Sequence, residues 1–290
     1  LLSLLSIPAK KNSNIIVQKD AFPAIKIPAI YSGFNVIYAD FEKDPLKELK
    51  KKINKNTAAV LIDWVHFFKG YVNDLKLIGD FLKEKEIFFI VDGIQGAGVI
   101  PLNLNRLNVD FFSSHSAKWL LGPQGIGFLY IKKETFEKIN KRYVGWISLD
   151  WKSFSDFNNF PSLRKGAQIF EEGSYNSPGV FGFNENIKLI LKFGKFEINK
   201  KVKKLKAKLR KEFERMEFEI LPYKEEERYV SGIISFRSKN SDKLFNYLTK
   251  KKISVSYRNG FIRVSPHFFN DEKEIDYLLK NIKEFYVTED

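Results

Sequence analysis

A chain of 290 residues with 44% hydrophobic content can bury one large core and one smaller one, so one or two α/β domains are expected. Its net charge of +14 is spread along the chain rather than gathered in one arm, and it carries no nucleic-acid recognition signature, which argues against a nucleic-acid partner. The absence of cysteine excludes a disulfide framework, a zinc–cysteine site and a cysteine nucleophile together, and fits a cytoplasmic protein.

Residues 1–7, Leu-Leu-Ser-Leu-Leu-Ser-Ile, read as the end of an amphipathic helix and lack the basic start of a signal peptide. Apolar runs elsewhere are short and broken by charge, so no membrane-spanning segment is predicted. Strands are predicted at Ile15-Ile16-Val17, Val36-Ile37-Tyr38, Ala59-Val60-Leu61-Ile62, Ile87-Phe88-Phe89-Ile90-Val91, Phe111-Phe112 and at residues 126–131, with helices over 44–53 and 73–85. Hydrophobicity in these strands is continuous rather than alternating, as a mostly parallel sheet covered on both faces requires. Residues 149–176 are aromatic, polar and aperiodic, and read as a long functional loop. One long helix is predicted over 184–218, with Ile198, Val202, Leu205, Leu209 and Phe213 on one face and its lysines on the solvated side. Strands near 233–236, 253–256 and 261–264 and helices near 241–251 and 271–285 complete a small α+β domain. The fold class is therefore α/β: a large domain, residues 1–182, with a mostly parallel sheet, and a small C-terminal α+β domain, residues 183–290.

Two segments carry chemistry. In Val91-Asp92-Gly93-Ile94-Gln95-Gly96-Ala97-Gly98 an apolar strand ends in an acid and a glycine-rich turn, where ligands of open α/β sheets bind. The glycine order is not that of a dinucleotide fingerprint, which removes hydride chemistry. In Asp110-Phe111-Phe112-Ser113-Ser114-His115-Ser116-Ala117-Lys118-Trp119-Leu120-Leu121-Gly122-Pro123-Gln124-Gly125-Ile126-Gly127 a strand runs into hydroxyl residues and then a lysine flanked by apolar groups, a setting that favours an imine-forming amine or a base. The histidines do not combine with carboxylates at metal-ligand spacing, so no metal site is expected.

Taken together, Asp92, Gln95, Lys118 and Gly122-Pro123-Gln124-Gly125-Ile126-Gly127 resemble the class V aminotransferases. This superfamily of pyridoxal-phosphate (PLP) enzymes includes cysteine desulfurases, kynureninases and isopenicillin-N-epimerase-like enzymes. The resemblance covers nearly the whole chain. It implies a PLP-dependent transferase large domain in which Lys118 holds the cofactor as a Schiff base and shuttles the substrate α-proton. By the same resemblance Asp92 pairs with the pyridine nitrogen and Gln95 hydrogen-bonds the phenolic oxygen. The family often has Ser three residues before the lysine and His immediately before it, where this chain has His115 and Ala117; His115, Ser113 or Ser116 is then left to contact the phosphate.

Four further segments join the resemblance. Glu172-Gly173-Ser174-Tyr175-Asn176 is similar to a loop whose hydroxyl reaches the cofactor of the neighbouring subunit, which implies a homodimer and gives Ser174 that contact. Residues 257–270 contain Arg263, the residue chosen to grip the substrate carboxylate, with Arg258 and His267 as weaker candidates. Phe22, in Asp20-Ala21-Phe22-Pro23, falls where a ring stacks on the pyridine, and His66, in Asp63-Trp64-Val65-His66-Phe67, falls where the site is lined. The family's phosphate-binding turn is expected just before the helix that residues 1–7 finish, so the large domain is expected to be N-terminally incomplete. The implied function is a PLP-dependent enzyme acting on an amino acid through an external aldimine, first an aminotransferase. The alternatives are an amino-acid epimerase or lyase of the same superfamily, or a truncated, catalytically silent homologue.

Overall fold

The computed structural model describes residues 2–8, 10, 12–153, 158–222 and 230–289. The apolar runs of the first half form one sheet of β1 (Asn14–Gln18), β2 (Asn35–Ala39), β3 (Thr57–Asp63), β4 (Phe88–Asp92), β5 (Phe111–His115) and β6 (Gly127–Ile131), in the order β2-β1-β3-β4-β5-β6. The first five are parallel, and β6 returns antiparallel to β5 at the edge. β1 is buried along its whole length, as is β3 from Ala59 to Asp63, which is why both read as unbroken apolar runs. Of these parallel strands, β1, β3, β4 and β5 end in the polar residues Gln18, Asp63, Asp92 and His115, all on the carboxyl side of the sheet.

Helices α1 (Leu2–Leu5), α2 (Pro23–Ile30), α3 (Pro45–Lys52), α4 (Leu75–Glu84) and α5 (Lys133–Lys138) accompany this sheet. Asp44 caps α3 by accepting the Lys47 N–H, and Asp74 caps α4 by accepting those of Lys76 and Leu77. The last turn of α3 holds Lys50, Lys51 and Lys52, which complement the negative end of its dipole. One face of the sheet buries Ile15, Val17, Leu61 and Phe111 together with Leu4, Ile25 and Ala29. At the end of β4, a Cβ on Gly93 would lie 1.9 Å from the Phe112 ring. That ring is fully buried and is held against Trp64 and Phe128, so it has no room to swing away. Glycine is therefore required by close approach at this position.

The chain divides into two compact units: Leu1–Trp64, Asp74–Ile94 and Asn103–Asn186 form the first, and Val65–Asn73, Gln95–Leu102 and Ile187–Asp290 the second. The second has a four-stranded antiparallel sheet in the order β7 (Glu219–Leu221), β8 (Ile234–Arg237), β10 (Phe261–Val264), β9 (Ser256–Arg258). Its core joins Leu205, Leu209, Phe213, Ile234, Phe236, Leu244, Ile262 and Leu279, each worth about 1.5–3 kcal/mol when fully buried. Hydrogen bonds explain why two short segments from the first half cluster here. Ser235 Oγ donates to Phe68 O at 2.7 Å, Ser231 Oγ to Gly70 O at 2.6 Å, and Asn199 Nδ2 to Val99 O at 2.9 Å.

The single helix expected over 184–218 is two helices, α6 (Ser177–Phe193) and α7 (Lys195–Arg215). Gly194, at φ +86°, breaks the helical backbone between them, a conformation that a residue with a Cβ rarely adopts. The lysine-rich face of α7 meets acids of α9 (Glu272–Glu289): Lys204 pairs with Glu272 at 2.6 Å and Lys208 with Asp276 at 2.5 Å, while Lys283 of α9 returns to Glu212 of α7 at 3.0 Å. These are exposed pairs of modest energy. The strand expected at 253–256 is displaced to β9; Ile253 and Val255 pack instead against the core below α8 (Ser241–Lys250).

Candidate active site

β3 and β4 lie in register with Asp63 opposite Asp92, and β5 continues the row with Ser113 opposite Asp92. Two carboxyl groups thus end adjacent strands. Asp63 is 3% exposed; its Oδ2 accepts the Phe22 N–H at 3.0 Å, and its own N–H donates to Gln18 Oε1 at 3.1 Å. Burial pushes the Asp63 carboxyl up to about 8, helped by the negative charge of Asp92 and of Asp20, while the Phe22 N–H and the Lys118 ammonium oppose the rise. Asp92 is also raised by burial, against the Ile94 N–H bonded to its Oδ1 at 2.9 Å and the charge of Lys118. Like charges on neighbouring strand ends cannot both ionise cheaply, so the pair keeps a proton and Asp63 is its holder.

This has a measurable consequence. The unfolded chain releases the Asp63 proton near its ordinary value of 3.8, whereas the folded protein keeps it to about 8. Between those values the native state binds more protons, so stability from this group falls as pH rises, by up to about 1.4 kcal/mol per pH unit. Asp63→Asn, which cannot ionise, is expected to flatten the decline in urea-unfolding free energy between about pH 5 and pH 8. Parallel profiles for the two proteins would show that Asp63 ionises normally.

Lys118 lies on an exposed turn that the chain ties closed at its base. Ser116 N–H donates to Ile126 O at 2.9 Å, Gly122 N–H to Ser116 O at 2.9 Å, and the Ser116 hydroxyl to Pro123 O. A Cβ at Gly122 would meet the Ser116 side chain at 2.6 Å, so the turn closes only on glycine. Trp119 and Leu120 anchor the turn by burial, and Leu121 N–H closes back on Lys118 O at 3.0 Å. The Lys118 ammonium sits 5.6 Å from the centroid of the Phe22 ring, within cation–π range.

The first unit therefore brings Asp92, Lys118 and Phe22 together, along with Asp63, which no sequence motif marks. The signal for Asp63 was the one used for Asp92, an acid closing a fully apolar strand. His115 Nδ1 accepts the Ala117 N–H at 3.0 Å, which places the neutral ring's proton on Nε2 as a donor. Of the three residues left open for phosphate contact, Ser116 is fully buried with its hydroxyl committed to Pro123, while Ser113 is exposed. Ser174 is exposed on the loop before α6, where Asn176 Oδ1 accepts the Gly179 N–H.

Gln95 and Arg263 belong to the second unit. Gln95 is buried. Arg263 Nη1 donates to Phe67 O at 2.6 Å and Nη2 to Ser256 Oγ at 3.3 Å, while its buried Nε has no partner among the described residues. Burial, and then the neighbouring Arg258, lower the Arg263 pKa. A desolvated guanidinium of this kind is suited to an anion. His66 serves a turn rather than an exposed surface: it is 1% exposed, its Nδ1 accepts the N–H groups of Phe68 and Lys69, and its ring stacks with Phe67 and Tyr71. His267 likewise accepts the Phe268 N–H at 2.7 Å and stacks on Phe269. Among the described residues no group of three or more His, Asp or Glu is arranged to hold a metal ion, and no helix is long and apolar enough to cross a membrane.

The sequence model of the aminotransferase class-V family matches residues 4–278. The chain belongs to that family. Among curated class-V relatives, the uncharacterized aminotransferase YcbU of Bacillus subtilis is 26% identical over 247 residues, covering 82% of this chain and 62% of the relative. A probable cysteine desulfurase of Pyrococcus abyssi is 26% identical over 254 residues with the same coverage. The chain thus spans about 62% of the length of these relatives. Among solved structures, the apo cysteine desulfurase of Thermococcus onnurineus superposes with a TM-score of 0.84 at 22% identity, covering 98% of this chain and 76% of that one. The cystine C-S lyase C-DES, in complex with its product cysteine persulfide, does so at 0.85 and 23%, covering 96% and 77%. These likenesses establish the class-V fold, an α/β PLP-transferase architecture with a mostly parallel sheet.

The residues of the first unit suit the family's cofactor. The desolvation that penalises a half-buried carboxylate such as Asp92 is offset by a cationic ring N–H; a lysine on a closed turn supplies the amine, and an aromatic face beside that lysine can cover a planar ring.

Proposed function

We propose that this class-V chain is a PLP-dependent enzyme acting on an amino acid, and that it is an aminotransferase. The observation that carries the reading is the half-buried Asp92 carboxylate that closes β4 at the carboxyl ends of the parallel strands, within electrostatic reach of Lys118. Pyridoxal phosphate, when bound, supplies a conjugated ring that draws electrons from the substrate Cα. Asp92 holds negative charge against the ring nitrogen and Phe22 covers one face. Lys118 takes and returns the proton at Cα. His115 donates Nε2–H to the phosphate, Gln95 hydrogen-bonds the ring oxygen, and Ser174 serves the cofactor of a second copy. The reading is of a cytoplasmic homodimer; exposed Tyr175, Val180 and Phe181 beside Ser174 support an apolar contact there.

The 290 residues contain no cysteine to receive sulfur, which favours amino-group transfer over desulfuration. Carbon–sulfur cleavage is the second reading, favoured by the relatives named cysteine desulfurase. An amino-acid panel assayed with and without a 2-oxo acid separates the two. Product that requires the acceptor supports transfer, sulfur released without it together with either alanine or a keto acid and ammonia supports cleavage, and PLP uptake without turnover supports a silent homologue.

Arg263 is assigned to the substrate α-carboxylate. Arg263→Lys keeps the charge and loses the fork, so apparent amino-acid affinity is expected to fall by about 1.5–3 kcal/mol, roughly ten- to hundredfold, with the PLP spectrum unchanged. Arg258→Lys is expected to be milder. A reversed order would move the carboxylate site to Arg258.

A further inference from the structure

We propose that Asp63 is a positioning residue: its carboxyl, fixed at the end of β3, holds the first residue of the α2 turn so that the Phe22 ring faces Lys118. Phe22 is the N-cap of α2, yet no side chain of its own caps the helix, and Pro23 follows at the first helical position. The Phe22 N–H is therefore not used within α2, and Asp63 Oδ2 takes it at 3.0 Å. The contact is one of a linked set. Gln18 Oε1 accepts the Asp63 N–H at 3.1 Å, Gln18 Nε2 donates to Asp20 Oδ1 at 3.4 Å, and Ala21 N–H returns to Gln18 O at 3.1 Å. The end of β1, the end of β3 and the start of α2 are locked in one geometry, and the ring that emerges from it lies 5.6 Å from the Lys118 ammonium.

The charged groups acting on Asp63 are Asp92 on β4, Asp20 in the β1–α2 turn and Lys118 on the β5–β6 turn. Held neutral among them, the carboxyl can accept the Phe22 N–H without setting a second anion beside Asp92. A neutral amide does the same, so Asp63→Asn is the conservative replacement and Asp63→Ala the disruptive one.

The inference rests on the assignment of Lys118 and Phe22 to the cofactor, and two measurements keep it distinct from that assignment. In the first, PLP is titrated spectroscopically into the wild type, Asp63→Asn, Asp63→Ala, Phe22→Ala and the Asp63→Ala/Phe22→Ala double variant. Phe22→Ala and Asp63→Ala are each expected to weaken PLP binding roughly two- to tenfold, the range for one aromatic stack. The double variant is expected to be no worse than Phe22→Ala, and Asp63→Asn close to the wild type. Additive losses, or an Asn variant as weak as the Ala variant, overturn the proposal. In the second, the rate at which an amine-reactive reagent modifies Lys118 in the apoprotein is measured by peptide mapping near neutral pH, below the Asp63 pKa of about 8, where the wild-type carboxyl keeps its proton. Asp63→Ala is expected to change the rate as Phe22→Ala does, without further change in the double variant, while Asp63→Asn leaves it in place; independent changes overturn the proposal. If the wild type takes up no PLP, the functional reading fails and the second measurement alone decides the role of Asp63.

Discussion

Lys118→Ala is expected to abolish borohydride-dependent labelling of the protein by PLP and to reduce turnover by at least roughly 10²–10⁴-fold, the range lost with a positioned proton carrier alone. The chain is rich in lysine, but Lys118 stands on a turn closed at Ser116, facing an aromatic ring, with its positive charge acting on Asp63 and Asp92. Lysines of α7 instead meet acids of α9 on the surface, where they interact with solvent and with each other's partners. Reduction of the PLP-loaded wild type followed by peptide mapping should mark the peptide that contains Lys118 and leave the α7 peptides clean. A label on any other lysine sinks the assignment, whatever the activity of the alanine variant.

Asp92→Asn is expected to leave PLP bound while slowing exchange of the substrate α-hydrogen about a thousandfold. An ion pair in contact at an effective dielectric near 20 is worth about 4 kcal/mol, and an amide cannot supply it. The substitution also removes the charge that helps hold the Asp63 proton, so the Asp63 pKa should move back toward its ordinary range. The two effects are read separately: hydrogen exchange by NMR in the loaded protein, and the pH dependence of unfolding in the apoprotein. Unchanged exchange at full occupancy would mean that Asp92 faces away from the ring.

Legibility in the sequence followed the physics of each element. β1, β3 and β4 stand within two residues of the expected runs because strands covered on both faces leave no polar alternation to blur them. α3 and α4 were visible through their helical periodicity, and each proves to start on an Asp cap. The antiparallel return of β6 was not, since an apolar run has no direction. α2 escaped because Pro23 and Pro28 read as breakers, although proline is compatible with a first turn and the second proline falls near the helix end. The Gly194 break lay inside a periodic stretch that continues in phase on both sides, so the apolar pattern hid it. At the site, Asp92 and Lys118 stood out because each adjoins glycine-permitted backbone. Asp63 did not, because Trp64 and Val65 follow it and prolong the appearance of a strand. His66 was singled out by its place in the resemblance; that its ring nitrogen completes a turn's backbone hydrogen bonds is something no local pattern announces.

The closed turn around Lys118 also sets the entropy of its amine. With the backbone pinned by the Ser116–Ile126 and Gly122–Ser116 bonds, the amine reaches its surroundings through side-chain torsions alone. A nucleophile restricted in this way is present at an effective molarity far above that of any dissolved amine, because little translational freedom remains to be lost when it attacks. An incoming amino group competes with a tethered rival that never diffuses away. Under the proposed role of Lys118, its displacement would be driven by the substrate's other attachments, and an amine that brings no carboxylate of its own would start at a disadvantage set by the stiffness of eleven residues of backbone, 116–126.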